Sequence, residues 1–133
     1  MLLIWLNKEK KTKMNWNEYL IQSKRTMEDK GRQKNLLHFS MGVSTEANEI
    51  LDVMKKNIFY GKQVDIVNVK EEIGDILWYI AIACRELDLD LESILDLNIN
   101  KLKTRFPNKF TQEKALNRNL EAERLVLNQE ENK

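Results

Sequence analysis

One proline and four glycines punctuate 133 residues, and this scarcity of chain breakers constrains the fold more than any other feature. A doubly wound or all-β plan needs more turns than these residues supply. No sustained two-residue alternation marks a half-buried strand, whereas apolar residues recur at helical spacing. The expected class is all-α: a helical bundle of about four core helices plus a C-terminal helix, in one domain over residues 14–133. Boundary signals divide the chain. Asn15 or Asn17 caps a first helix from Trp16 to about Asp29, and Lys30, Gly31 and Arg32 end it. Asn35 is expected to cap a second helix that gives way near Tyr60 and Gly61, and Asp65 a third. Asp88 and Asp90 frame a break. A fourth helix then runs from Leu91 to about Phe106 before Pro107, and a fifth from Thr111 to about Gln129.

The second and third helices each carry two acids one turn apart, Glu46 with Glu49 and Glu72 with Asp75. Residues i and i+3 lie about 60° apart around a helix axis, so each pair points its carboxylates in one general direction. The apolar stripes are Val43, Ala47, Ile50, Leu51 and Met54 on one helix, and Val69, Ile73, Ile76, Leu77, Ile80, Cys84 and Leu87 on the other. The acids sit roughly 60° and 120° behind Val43 and behind Val69 alike, so both pairs flank their stripes in the same way. Packed side by side, the helices would bring four carboxylates into one small volume. Such a group repels itself unless a hard divalent cation neutralises it, and oxygen ligands suit Mg²⁺ or Mn²⁺.

Other residues are candidates for substrate contact. Lys56 follows Glu49 on the same flank and would reach a phosphate, or else pair with Asp52 at i,i+4. His38 stands roughly 16 Å along the axis from Glu49, too far to join the same metal cluster but placed for a base or sugar contact. Tyr79, one turn beyond Asp75, is placed to stack on a base, and Trp78 to support that pocket or meet another subunit. In the fourth helix Asn98 interrupts the row Leu91, Leu95, Leu102 and Phe106, and a buried amide needs partners. Asn98 with Lys101, and Arg105 beside them, would meet a sugar hydroxyl and phosphates.

Several function classes are excluded. Twenty-two basic residues against 21 acidic ones leave a net charge of +1, interleaved along the chain, so no field draws in nucleic acid or an anionic membrane. No phosphate-binding Gly-x-x-x-x-Gly-Lys loop is present, and Cys and His are too few for a structural zinc site. The single cysteine, Cys84, belongs to a packing stripe and fits a reducing cytoplasm. Residues 1–6 are apolar but too short for a membrane span and lack the basic region of a signal peptide. The charged run before Met14 reads like a translated ribosome-binding region. Met14 is therefore expected as the natural start and residues 1–13 as a poorly packed extension.

Around the acid pairs the chain resembles the MazG-like branch of the all-α nucleoside triphosphate pyrophosphohydrolases. The resemblance rests on Leu36-Leu37-His38, on Ser44 to Glu49, on Lys55-Lys56, on Val69 to Tyr79 and on Lys101-Leu102. It spans Leu36 to Phe110, with a looser echo from Glu113 to Arg118. The family signature is ExxE, a spacer, then ExxD. The resemblance implies Mg²⁺ held by Glu46, Glu49, Glu72 and Asp75, and water attack at the α-phosphorus of a nucleoside triphosphate. Glu49, ahead of Glu46, would be the general base. It also implies a homodimer or homotetramer, and an Asn-x-x-Lys-Leu stretch like that at Asn98 is typical of related sequences. The alternatives are another nucleotide substrate such as an alarmone, or a non-catalytic helical oligomerisation module.

Overall fold

The computed structural model describes residues 13–129, and six α-helices with no strand make up their regular structure. The all-α expectation holds. The chain groups into two compact units that part between Leu87 and Asp88. Residues 1–12 of the segment expected to pack poorly, and the tail after residue 129, lie outside the described residues.

In the first unit, α1 covers Trp16–Lys24. Asn15 Oδ1 accepts the Glu18 N–H at 2.9 Å and Glu18 Oε2 accepts the Asn15 N–H at 3.2 Å, a reciprocal cap on two otherwise unmet donors. The helix stops five residues short of the expected Asp29. Its last carbonyls find other donors: Arg85 donates to Leu20 O at 3.1 Å, and the Thr26 hydroxyl donates to Ser23 O at 2.7 Å.

The long helix α2, Arg32–Tyr60, begins after Gly31, whose φ of +88° suits glycine. Asn35 is not its cap, contrary to expectation. It lies inside the first turn, buried, where its side chain accepts the Lys30 N–H at 3.1 Å and donates to Asp29 and Glu86 at 2.9 and 2.8 Å. Gly61, at φ +64°, ends α2 as expected. Asp65 then caps α3, Ile66–Leu87, by accepting the Asn68 N–H at 3.0 Å.

The α2–α3 hairpin is the frame of the first unit, and its packed face differs from expectation. On α2 the residues turned inward are Asn35, Gly42, Glu46 and Val53, which share one line along the helix. The predicted stripe lies about 100° away, and Leu51 within it is 63% exposed. On α3 the packed line runs through Glu72, and the predicted stripe is displaced in its first half, with Ile73 48% exposed, whereas Cys84 near its end is buried as expected. Apolar periodicity marked the faces that water disfavours, but the helices of this chain meet on the neighbouring faces. Because α2 and α3 are antiparallel, both displaced stripes emerge on the same side of the hairpin. The apolar core is small: Val53 from α2, with Ala81, Ile82, Ala83 and Cys84 where α3 meets α1 and α2.

The second unit opens at Asp88, a non-glycine residue at φ +53°. Asp90 caps α4, Leu91–Arg105, by accepting the Ser93 N–H at 2.9 Å, and Pro107 follows its end. The single fifth helix expected from Thr111 is broken in two, α5 at Gln112–Leu116 and α6 at Leu120–Leu127. Asn119 supplies the reason. Its side chain accepts the Ala122 N–H at 3.1 Å, so a new helix starts where the old one would have continued. Glu123, only 3% exposed, fastens α6: Arg105 donates to both its oxygens at 2.8 and 2.9 Å, and Arg118 adds a bond of 2.6 Å. These two guanidinium groups hold the Glu123 carboxyl down at about 2, well below its ordinary 4.5.

Candidate functional site

Three acids from two helices converge at the middle of the α2–α3 hairpin. Glu46 comes from α2, and Glu72 and Asp75 from α3, and one carboxylate oxygen from each lies within 4.8 Å of the others. Glu72 is buried, Glu46 half-buried and Asp75 exposed, so the group has one wet side. Asn68, one turn before Glu72, donates from Nδ2 to Glu72 Oε1 at 2.9 Å and fixes how that carboxylate points. The Glu46 carboxyl is raised above its ordinary value. Its hydrogen bond with Glu72 is the largest cause, followed by burial and by the charges of Glu72, Asp75 and Glu49. Three convergent oxygen donors are the ligand chemistry of a hard divalent ion. The residues fit such an ion.

Glu49, the fourth predicted acid, lies outside that trio. It is exposed on α2 one turn beyond Glu46, at the rim of the site, close enough for its charge to act on Glu46.

The other candidates divide between the two ends of the hairpin. At one end Tyr79 follows Asp75 by a turn and lies across Gly42, where any Cβ would overlap the ring. His38 meets the Tyr79 ring edge-on at 5.2 Å and Trp78 at 6.0 Å, and Trp78 and Tyr79 are 5.1 Å apart. Burial, then the charges of Glu46 and Asp75, raise the Tyr79 phenol above its ordinary value. Trp78 donates from Nε1 to Thr26 Oγ1 at 2.7 Å, tying this cluster to the end of α1. At the other end Lys56 pairs with Asp52 at 2.5 Å, and Lys55 shares the same carboxylate at 2.9 Å.

Asn98 and Lys101 belong to α4 in the second unit. Asn98 is exposed and Lys101 half-buried. The row on which Asn98 was placed is not a buried stripe, since Leu95 beside it is 57% exposed. Arg105 is committed to Glu123.

Residues 35–110 match the profile of the MazG nucleotide pyrophosphohydrolase domain. The chain belongs to this family. The matched segment includes the ExxE and ExxD acids, α2 from Asn35 onward and all of α3. The "Gene 37 protein" of Mycobacterium phage L5 is 34% identical over 77 residues, covering 54% of this chain and 67% of the phage protein. No solved structure matches the chain. MazG-family proteins typically depend on a divalent metal, in keeping with the donor set of Glu46, Glu72 and Asp75. No helix among the described residues is long and apolar enough to cross a membrane.

Two residues of the site escaped sequence reasoning. Asn68 and Gly42 each stand four residues before an acid, a spacing that puts them on the acid's own face and was available to read.

Proposed function

We propose that this chain is an Mg²⁺-dependent nucleoside triphosphate pyrophosphohydrolase, with Mn²⁺ as a substitute ion. It would convert an NTP or dNTP to the monophosphate and pyrophosphate in the cytoplasm, as part of nucleotide pool control. The observation that carries this reading is the convergence of Glu46, Glu72 and Asp75 within 4.8 Å, with Glu72 held by Asn68. Bound there, the cation would neutralise the phosphate chain and withdraw electron density from its phosphorus atoms. Glu49, at the exposed rim, takes a proton from the attacking water. The water oxygen bonds to the α-phosphorus, and the bridge to the β-phosphate breaks with its electron pair leaving on pyrophosphate. Tyr79, with His38 and Trp78 behind it, offers an aromatic edge for the base. Asn98 and Lys101 are further contacts to sugar and phosphate.

The active form is a homodimer or homotetramer. The displaced stripes of α2 and α3 support this, because Leu51, Ile73 and Leu77 stand exposed in a single chain and a second copy would cover them. Asp75→Asn tests the metal site. It should abolish hydrolysis and weaken Mn²⁺ binding followed by electron paramagnetic resonance, while the helical circular dichroism stays unchanged. A variant that binds Mn²⁺ and turns over like the parent would remove the assignment.

A further inference from the structure

The antiparallel hairpin sets its features out in a line. The rings of His38, Trp78 and Tyr79 lie at one end, the carboxylates in the middle, and the α2–α3 turn at the other end. At that turn a cavity of about 240 Å³ is lined by Val53, Lys56, Lys62, Gln63, Asp65 and Asn68. We propose that this cavity receives the two terminal phosphates of the substrate, and then the pyrophosphate product, with Lys62 as their principal cation. This rests on the pyrophosphohydrolase reading above and gives the site a polarity: base at the ring end, leaving group at the turn.

Four observations lead there. Asn68 lines the cavity and its side chain donates to Glu72, so one residue joins the cavity to the carboxylate trio. The backbone of Lys62 is held on both sides: its N–H donates to Lys56 O at 3.2 Å, and its carbonyl accepts from Asn57 Nδ2 at 2.7 Å. The turn therefore presents Lys62 in a fixed place. Among the described residues no carboxylate lies within ion-pair distance of Lys62, whereas Asp52 already engages Lys55 and Lys56. Finally, Asp65 and Asn68 in the lining put the cavity beside the start of α3, where the helix dipole favours an anion. Asp65 is the one carboxylate in the lining, and it is occupied as the cap of α3 through the Asn68 N–H.

The ring end has cations too, since Lys30 and Lys34 line a cavity of about 250 Å³ with His38 and Trp78, and Lys30 pairs with Glu28 at 3.4 Å. Lys34 is thus the natural control for the opposite polarity.

The test is titration calorimetry of the full-length protein with inorganic pyrophosphate and with nucleoside monophosphate, in Mg²⁺, for the parent, Lys62→Gln and Lys34→Gln. Lys62→Gln should bind pyrophosphate about tenfold more weakly, or about 1.4 kcal/mol, and keep the parent's affinity for monophosphate and for Mg²⁺. Equal pyrophosphate affinity in Lys62→Gln, or a loss in Lys34→Gln instead, overturns the inference. If the parent hydrolyses nucleoside triphosphates while Lys62→Gln binds pyrophosphate normally, only this inference fails. If the parent neither hydrolyses them nor binds pyrophosphate, the function beneath it fails as well.

Discussion

At Gly42 the packing of α3 on α2 leaves no room for a Cβ, so a single methyl group tests the hairpin. A Cβ at residue 42 would overlap Cδ1, Cε1 and Cζ of Tyr79. Mid-helix alanine is intrinsically better than glycine by about 1 kcal/mol, which sets the gain that Gly42→Ala would show in open space. Against it stands an overpacking cost of about 1–3 kcal/mol. If the ring swings aside instead, it loses edge contacts with His38 and Trp78 at about 0.5–1.5 kcal/mol each. The net expectation is a loss of about 1 kcal/mol, or a fall in Tm of roughly 3–5 °C for a chain of this size. Gly74 provides the matched control, because a Cβ there meets no atom within 4 Å. Gly74→Ala should keep the helix gain and raise Tm by about 3 °C. The assay is thermal and urea unfolding of both variants at one protein concentration, so that oligomerisation does not confound the comparison. Equal stability of the two variants would refute the packing described for Tyr79 on Gly42.

Further perturbations address other links. Asn35→Ala should cost about 2–3 kcal/mol in urea unfolding, since a buried amide that serves Lys30, Asp29 and Glu86 is lost; a loss below about 0.5 kcal/mol would contradict its joining role. Asn68→Ala should leave the helices intact and weaken Mn²⁺ binding by about 10–100-fold, because Glu72 loses the donor that orients it. For Glu123 the folded value of about 2 lies below the ordinary 4.5, so its ion pairs stabilise the fold above that ordinary value. Their contribution fades as pH falls through 4.5 toward 2. Thermal melts of the parent and Glu123→Gln should therefore differ at neutral pH and converge in acid, and a gap that widens in acid would show the opposite linkage.

How far the sequence could be read depends on whether a signal was local. Gly61, Asp65, Asp90 and Pro107 act through their own backbone or the next turn, and the helix ends they predicted stand. The end of α1 depended on Arg85, more than sixty residues away, and no local pattern announces such a donor. The split between α5 and α6 came from competition at Asn119, whose side chain could start a helix as readily as ride within one. The choice of packed face failed for a different reason. Leu51 and Ile73 are apolar at helical spacing, but periodicity does not say which surface covers them. That rotation turned Glu46 and Glu72 from the flank of the interface into the interface itself. The trio of carboxylates was thus legible as residue types and spacing, whereas its burial and its Asn68 support belong to the tertiary structure.

The central claim is that a carboxylate centre between α2 and α3 directs cleavage between the α- and β-phosphates. The most direct measurement is product analysis, by ³¹P nuclear magnetic resonance, after incubation with a panel of canonical and modified nucleoside triphosphates in Mg²⁺ and in EDTA. The account predicts monophosphate and pyrophosphate from one or a few of them, only with Mg²⁺, and none from Glu72→Gln. Release of orthophosphate and diphosphate, turnover that persists in EDTA, or silence across the panel would contradict it.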